Sequence, residues 1–282
     1  MRERSVTFVA VGDVMLDVAV AGGAGDHDAV ARVRTGGTAV NAAVAAAAAG
    51  ARATAVGRAG DDDGGAAVRA ALAAADVRDG VAHAADEATG VVLRLDGRLH
   101  VDRGANRGLR PEHVAAERAD ALLVSGFALL HEDTRAAGRA ALAAGAAWTG
   151  ATGGSAGLAA RAGVDAFAGA RVLVVDAEEA RALTGSAPEE AARQLASRHE
   201  LACVTLGAAG AVLAGPGDAS LRRAAPPPEL VLKQHKLRGA GDAFAAVLLV
   251  ELARVSAGLG EPMVGISAAE LAPEQLLETR GW

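Results

Sequence analysis

Several short segments of this 282-residue chain combine small residues with a carboxylate or an amide. The clearest is Gly239-Ala240-Gly241-Asp242, which leads into the apolar run Ala245–Leu252. Small residues at a helix start leave backbone N–H groups open to an anion, and the helix dipole adds positive potential there. Such a site suits a phosphoryl group in transfer, and Asp242 could take the proton of the attacking hydroxyl. The alternative is an ordinary helix start, in which Asp242 is only a favourable N-terminal charge.

A second segment could bind a polar small molecule. Gly36-Gly37-Thr38-Ala39-Val40-Asn41 precedes a helical pattern that ends at Gly50. Paired glycines let a ligand approach the backbone closely, and the Asn41 amide offers a donor and an acceptor to sugar hydroxyls. Asp17 follows the first predicted strand, and ligands of open parallel sheets bind beyond the carboxyl ends of strands. The alternatives are a plain glycine loop before a helix and an ordinary surface carboxylate at position 17.

Two acidic segments raise the question of a metal site. Asp176 and Glu179 follow the predicted strand Val172–Val175 and would share one face of a helix start. Such a pair could hold Mg²⁺ through water molecules, because Mg²⁺ keeps much of its hydration shell. The alternative is a helix cap with a capping-box acid. The run Asp61-Asp62-Asp63 lacks the ligand spacing of a calcium loop and is predicted to be a turn and a helix cap.

The segments that position these residues alternate between short β-type runs and alanine-rich helical runs. The predicted strands are Val6–Val11, Ala53–Val56, Ala121–Val124, Val172–Val175 and Leu201–Leu206, and the predicted helices are Ala39–Ala49, Ala66–Ala75, Thr134–Ala144, Glu178–Leu183 and Glu189–Ser197. This alternation predicts an α/β fold with a central, mainly parallel sheet flanked by helices on both faces. We predict a single domain over residues 1–282, with a break at Pro226-Pro227-Pro228.

Two β segments interrupt the alternation. Ala29–Arg34 alternates apolar and basic residues, and Gly90–Val101 reads as two strands joined by the turn Asp96-Gly97. Although they are far apart in sequence, these pieces could pair into one small sheet. We predict that this sheet forms a flap over one edge of the main domain.

Composition excludes several function classes. A net charge of −6 and an aromatic content of 2% argue against a nucleic-acid binder. The longest apolar run, Ala42–Ala49, is too short to span a bilayer, and the apolar run near the N-terminus is too short for a signal peptide. We therefore expect a cytoplasmic protein with no membrane or nucleic-acid partner. Because no G-x-G-x-x-G follows the first strand, a nicotinamide dehydrogenase is not favoured.

In this order the motifs resemble the ribokinase-like (PfkB) family of carbohydrate and nucleoside kinases. The resemblance rests on Gly12 to Asp17, Gly36-Gly37-x-x-x-Asn41, Gly60-x-Asp62-x-x-Gly65, Asp176-x-x-Glu179, Val204-Thr205-Leu206-Gly207-x-x-Gly210 and Gly239-Ala240-Gly241-Asp242. It implies a Rossmann-like α/β domain with a β-sheet lid, formed by segments of about 18–34 and 90–103. It also implies phosphorylation of a hydroxyl or hydroxymethyl group of a sugar or nucleoside, with ATP and Mg²⁺.

The resemblance also implies residue roles. Asp242 would be the general base, and Gly239, Ala240 and Gly241 would form the anion hole. Four residues would bind the substrate: Asp17, Gly36, Gly37 and Asn41. Asp176 and Glu179 would help to hold Mg²⁺, while Gly207 and Gly210 would lie near the nucleotide. Lid closure would exclude water, which competes with the acceptor, and an apolar face of the lid could pair two copies into a homodimer.

One departure from the family pattern carries its own prediction. Lys236-Leu237-Arg238 stands where the family usually has Asp-Thr-Thr or similar, a segment that helps to hold a monovalent cation. We expect Lys236 or Arg238 to supply a fixed positive charge on the nucleotide side, so that activity does not need potassium. Two alternatives stay open. One is a pseudouridine-type nucleoside kinase, in which Phe127 packs on the substrate ring. The other is a sugar-binding protein with impaired phosphoryl transfer.

Overall fold

The computed structural model describes residues 4–21, 30–95, 98–114, 119–215, 222–224 and 239–259. The Asp96-Gly97 turn, the proline break at 226–228, Lys236 and Arg238 lie outside the described residues. Within them the strands are β1 (Thr7–Val11), β2 (Met15–Ala21), β3 (Val30–Gly36), β4 (Arg52–Gly60), β5 (Arg78–Ala84), β6 (Gly90–Leu95), β7 (Arg98–Asp102), β8 (Ala121–Val124), β9 (Trp148–Thr152), β10 (Val172–Asp176), β11 (Leu201–Thr205), β12 (Ala211–Ala214) and β13 (Arg222–Ala224). The helices are α1 (Thr38–Ala48), α2 (Asp63–Ala74), α3 (Gly126–Leu130), α4 (Arg135–Leu142), α5 (Ala156–Ala162), α6 (Ala177–Thr184), α7 (Pro188–Ala196) and α8 (Ala240–Ser256).

The larger sheet contains nine of these strands in the order β13-β12-β11-β10-β9-β8-β1-β4-β5. Neighbouring strands run parallel from β5 through to β11, and β12 and β13 add antiparallel at one edge. Apolar clusters lie on both faces, which explains why β8 and most of β10 have continuous apolar sequences. The predicted α/β fold with a mainly parallel sheet is confirmed.

Helices α1 and α8 pack against each other on one face of this sheet. Their contact is built from small side chains such as Ala42, Ala46 and Ala245, all fully buried, which lets the two helix backbones approach closely. The pairing brings Asn41, in the first turn of α1, to Asp242, in the first turn of α8. Among the described residues, no helix combines the length and apolarity needed to cross a membrane.

The smaller sheet has the strand order β3-β2-β6-β7. It contains both segments that the sequence analysis predicted to pair, and β2 joins them by pairing antiparallel with β3 and parallel with β6. In this register Asp17 lies opposite Arg34 on one side and Val92 on the other. That this sheet closes as a lid, and that residues 1–282 form one domain, stay predictions.

Polar side chains fasten the base of the smaller sheet to the larger domain. The Asn106 side chain accepts from the Val14 N–H and donates to the Val14 carbonyl, both at 2.8 Å, just before β2 begins. Asp62 caps α2 by accepting from the Gly65 N–H, and it also accepts from the Thr89 N–H beside the start of β6. These bonds hold the roots of the sheet, while Leu99 and Val101 on its outer strand are exposed.

The strand β5 shows where pattern reading falls short. Its sequence, Arg-Asp-Gly-Val-Ala-His-Ala, contains three polar side chains and a glycine, so it was not predicted as a strand. It occupies the edge of the larger sheet, where pairing with β4 supplies its hydrogen bonds and much of the strand faces solvent. An edge strand needs less apolar sequence than a central one, because one side of it lacks a neighbour.

Candidate active site

The two glycine motifs meet at the carboxyl edge of the larger sheet. The Asn41 Nδ2 donates to Asp242 Oδ2 at 3.1 Å, although the two residues are 201 positions apart. Gly239 precedes α8 with a left-handed φ of 78°, and a Cβ there would collide with the Asn41 amide. Glycine is therefore required at this position both by backbone conformation and by the close approach of Asn41.

The backbone of the second glycine motif is equally constrained. Gly37 precedes α1 with a φ of 92°, and a Cβ there would overlap the carbonyl oxygen of Asp13. That carbonyl accepts from the Ala39 N–H at 3.2 Å, which ties the start of α1 to the loop after β1. The motif therefore lies directly above the end of the first strand and leaves Asn41 facing the start of α8.

One cavity, which we call the acceptor cavity, has a volume of about 220 Å³. All four residues predicted to bind the substrate line it, together with Gly239 and Asp242. The predicted substrate residues are Asp17, Gly36, Gly37 and Asn41. The other side chains that line it include Phe127 from α3, and Arg34 and Arg94 from the smaller sheet. The two arginines were not predicted, because nothing in the sequence of β3 or β6 shows which face of the smaller sheet is turned toward the site.

A second cavity, which we call the phosphate-side cavity, has a volume of about 140 Å³. It is lined by Asp176, Glu179, Gly241 and Asp242, and by Thr205 at the end of β11. Thr38, Phe127 and Asp242 line both cavities. Asp242 therefore stands at the junction between them, where a group on one side could reach a group on the other.

Asp176 and Glu179 form a complete capping box at the start of α6. Glu179 Oε2 accepts from the Asp176 N–H at 2.9 Å, and Asp176 Oδ1 accepts from the Glu179 N–H at 2.8 Å. The alternative interpretation from sequence, a helix cap, thus describes these residues correctly. The same Glu179 residue is only 8% exposed and lines the phosphate-side cavity. Its carboxyl can therefore contact a group in that cavity while it also caps α6.

Two acids at the junction have raised pKa values. Burial raises the pKa of Asp242 to about 6, against the hydrogen bond from Asn41, which lowers it. Burial also raises the pKa of Glu179 to about 7, and the negative charges of Asp176 and Asp242 add to this, while the backbone hydrogen bond from Asp176 opposes it. Carboxyls that exchange protons near neutral pH in a cavity are typical of general acid–base sites.

A third acid lining the acceptor cavity, Asp13, is held differently. It is 6% exposed, and Arg103 Nη2 lies 3.2 Å from its Oδ1, while Arg103 Nη1 lies 2.9 Å from Asp133 Oδ1. Burial lowers the pKa of Arg103, but the charges and hydrogen bonds of Asp13 and Asp133 outweigh this and raise it. Sequence analysis missed this ion pair, since its partners come from three separate loops and follow no motif spacing.

The remaining predicted residues lie around these cavities. Ala240 is exposed at the start of α8 and, unlike Gly241, lines neither cavity. Gly207 and Gly210 bracket a 3₁₀ turn after β11, at the same edge of the sheet as Asp176 but outside both cavities. In the part of the chain that the structure describes, no three His, Cys, Asp or Glu side chains cluster as a metal site.

Comparison with known proteins identifies the fold and the family. The description of the family model that matches residues 7–266 is pfkB family carbohydrate kinase. Adenosine kinase from Sinorhizobium meliloti has a TM-score of 0.72 at 21% identity, over 96% of this chain and 93% of that chain. A fructokinase double mutant from Vibrio cholerae O395, solved with fructose, ADP and potassium ion, has a TM-score of 0.73 at 25% identity, over 89% of this chain and 85% of that chain. Aminoimidazole riboside kinase from Salmonella enterica has a TM-score of 0.70 at 22% identity, over 97% of this chain and 99% of that chain.

A search of curated proteins finds no sequence match. The structural neighbours nevertheless share a single architecture and are kinases of sugars or nucleosides. The family model spans the glycine motif before α1, the capping box and the start of α8. The chain therefore belongs to the pfkB family of carbohydrate kinases.

Proposed function

We propose that this protein is an ATP-dependent kinase that phosphorylates a hydroxyl or hydroxymethyl group of a sugar or sugar-like molecule. The observation that carries the proposal is the position of Asp242, which lines both cavities and accepts a hydrogen bond from Asn41. An acceptor in one cavity and a phosphate chain in the other would meet at this carboxylate. The Vibrio cholerae fructokinase double mutant, a structural neighbour of this chain, was solved with both fructose and ADP bound, which supports a site for a sugar and a nucleotide together.

The chemistry assigned to Asp242 is proton removal. Asn41 Nδ2 holds Oδ2, which leaves Oδ1 to accept the proton of the acceptor hydroxyl as its oxygen attacks the γ-phosphorus of ATP. The new P–O bond forms as the bond to the β-phosphate oxygen breaks, and ADP leaves. With a pKa of about 6, Asp242 is ionised at neutral pH and basic enough to accept the proton in the transition state.

The start of α8 is assigned to the charge that develops on the transferred group. The first turn of a helix leaves N–H groups without intrahelical acceptors, and the dipole of the 17-residue helix adds positive potential there. Ala240 and Gly241 are exposed, and a side chain at Gly241 would meet open space, so a phosphoryl group could approach these amides. We therefore propose Gly239, Ala240 and Gly241 as the anion hole.

The residues of the phosphate-side cavity fit a divalent cation that keeps its water shell. Glu179 presents a buried carboxyl to this cavity, and Asp176 adds a second one at the same helix start. With two carboxyls and no larger cluster among the described residues, water must complete the coordination, as Mg²⁺ prefers. Bound Mg²⁺ would neutralise charge on the phosphates of ATP.

Three parts of the proposal rest on the family resemblance. Gly207, Gly210, Lys236 and Arg238 are proposed to lie on the nucleotide side, with Lys236 or Arg238 replacing a monovalent cation. Turnover in a potassium-free buffer should therefore equal turnover with added potassium, and strong activation by potassium would contradict this role.

We also propose a cytoplasmic location. A homodimer through the smaller sheet is supported by its exposed apolar side chains, among them Val33, Leu95 and Leu99.

The decisive experiment is an ADP-release screen over sugars and nucleosides with the native protein and Asp242→Ala. Loss of the general base should lower the rate by about 10²–10⁴-fold. Asp63→Asn is the matched control, because Asp63 is also an acid in the first turn of a helix but is exposed and lines neither cavity. Equal turnover by the native protein and Asp242→Ala would reject the proposal. A sugar that raises the melting temperature without any turnover would favour the alternative, a sugar-binding protein with impaired transfer.

A second candidate, a nucleoside kinase, is favoured by one observation. Phe127 lines both cavities, and its ring stacks on His131 with centroids 6.1 Å apart. An aromatic face there could pack on a nucleobase. The screen separates the candidates, since Phe127→Leu should weaken the binding of a nucleoside acceptor more than that of a simple sugar.

A further inference from the structure

The wall of the acceptor cavity contributed by the smaller sheet is cationic. Arg34 on β3 and Arg94 on β6 both line the cavity, from the two strands that flank β2. Asp242 and Asn41 line the same cavity from the starts of α8 and α1. A molecule that fills the cavity would thus meet a carboxylate from α8 and guanidinium groups from the smaller sheet.

Among the described residues, two of the acids that line this cavity are paired with arginines, and Arg34 belongs to neither pair. Asp13 is paired with Arg103 at 3.2 Å, and Asp17 Oδ1 lies 3.5 Å from Arg94 Nε. Asp242 is bonded to Asn41. Arg34 forms no hydrogen bond or ion pair within the described part of the chain, although it lies opposite Asp17 in the sheet.

Arg94 also has unused donor capacity. The Arg94 Nε atom is buried and donates no hydrogen bond to any described residue. Asp17 Oδ1 lies 3.5 Å from this atom, which is the distance of an ion pair but does not give a well-formed hydrogen bond. A buried donor without an acceptor is unfavourable. A ligand oxygen placed between the two arginines would balance the charge of Arg34, and the Arg94 guanidinium, whose contact with Asp17 is long, could turn from Asp17 to meet it.

We propose that the acceptor of this kinase carries an anionic group, a carboxylate or a phosphate, which is bound by Arg34 and Arg94. The inference rests on the proposed function and narrows it to sugar acids and sugar phosphates. A neutral hydroxyl would accept a hydrogen bond but would gain no Coulomb attraction from the two guanidinium groups. A planar or tetrahedral anion matches the forked donors of arginine and forms charge-assisted bonds. The two strands are about 10 Å apart, within reach of two arginine side chains that converge on one anion.

The test is a set of kinetic measurements on four acceptors: fructose, fructose 6-phosphate, gluconate and adenosine. An anionic acceptor should have a higher kcat/KM than fructose or adenosine, and its KM should rise with ionic strength. Gluconate and fructose 6-phosphate separate the carboxylate from the phosphate. Arg34→Gln and Arg94→Gln should each raise the KM of the anionic acceptor about 10–100-fold, as expected for loss of a charge-assisted hydrogen bond.

Arg32→Gln is the matched control. Arg32 lies two residues before Arg34 on β3, on the same face of the sheet, and both side chains are exposed, but Arg32 lines neither cavity. It should leave the KM of the anionic acceptor unchanged. If fructose or adenosine is the better acceptor and Arg34→Gln does not alter the ratio of KM values, the inference is wrong while the proposed kinase function stands.

A binding measurement keeps the inference testable if no acceptor is phosphorylated. Gluconate or fructose 6-phosphate should then still raise the melting temperature of the native protein, and Arg34→Gln should abolish this shift. That result would support the anion site and contradict the kinase function. If neither anion shifts the melting temperature and neither is phosphorylated, the inference is overturned.

Discussion

Asp13 and Asp242 line the same cavity but are stabilised in different ways. Asp13 is paired with the buried guanidinium of Arg103, which also binds Asp133. Among the described residues, Asp242 is hydrogen-bonded to the neutral Asn41 amide, and Glu179 adds a second carboxyl nearby. The cation partner gives Asp13 a structural ion pair, whereas burial beside a neutral amide raises the pKa of Asp242 to about 6 and leaves it able to exchange a proton near neutral pH. Burial alone therefore does not mark a functional acid, and the identity of its partner does.

The largest expected effect is the loss of stability when the ion pair between Asp13 and Arg103 is removed. Arg103→Met should lower the free energy of unfolding by about 3–5 kcal/mol, because it leaves Asp13 buried without its cation. Urea unfolding measures the loss. Arg107→Met is the control, since Arg107 lies 4.0 Å from the same Asp133 but its side chain is 60% exposed. Equal losses in the two variants would show that the buried pair has no special role.

Neutralising each acid should shift stability in opposite directions. Asp242→Asn should raise the free energy of unfolding at pH 8 by about 1–3 kcal/mol, because the folded-state pKa of about 6 exceeds the unfolded value near 4. Ionisation above pH 6 therefore opposes folding, and the gain should vanish below about pH 4. Asp13→Asn should instead lower stability at pH 8, as it takes one carboxylate from Arg103. The melting temperatures of both variants, measured from pH 4 to pH 8, test this prediction. If both substitutions raise the melting temperature, or both lower it, the two acids do not differ in the way proposed.

Glu179 tests whether the junction acids bind magnesium. Glu179→Gln keeps an oxygen that can accept from the Asp176 N–H, so the capping box is retained while the charge is lost. We expect the apparent affinity for Mg²⁺ in the ADP-release assay to fall about 10–100-fold, as for removal of a group that supports a metal. Glu178→Gln, in the exposed neighbour, should leave it unchanged. Unchanged Mg²⁺ dependence in both variants would restrict Glu179 to its capping role.

The smallest effect concerns the pH profile of the reaction. If Asp242 is the base, kcat/KM should fall about tenfold for each pH unit below 6, because burial raises the pKa of Asp242 to about 6. Asn41→Leu should move this inflection to higher pH, because the Asn41 hydrogen bond lowers the pKa of Asp242. A profile that is flat between pH 5 and pH 7 would contradict the assignment.

Much of the fold and part of the site could be predicted from local patterns. The apolar runs of β1, β8, β10 and β11 identify central parallel strands, since only strands covered on both faces are apolar throughout. The glycines before α1 and α8 were singled out because small residues leave the backbone open to a ligand, and the structure adds that Gly37 and Gly239 both have a positive φ. The edge strand β5 was not predicted, because it is stabilised by pairing with β4 and its own sequence shows no strand pattern.

The sequence by itself determined most of the segments that become strands and helices, because their apolar patterns repeat over a few positions, whereas the edge strand β5 depends on pairing with β4. It also determined which residue types stand at helix starts. Only the tertiary structure decided that Asn41 meets Asp242, that Arg103 pairs with Asp13, and that the arginines of the smaller sheet line the acceptor cavity. These contacts join elements far apart in the chain, so they depend on strand register and helix packing, which no local pattern specifies.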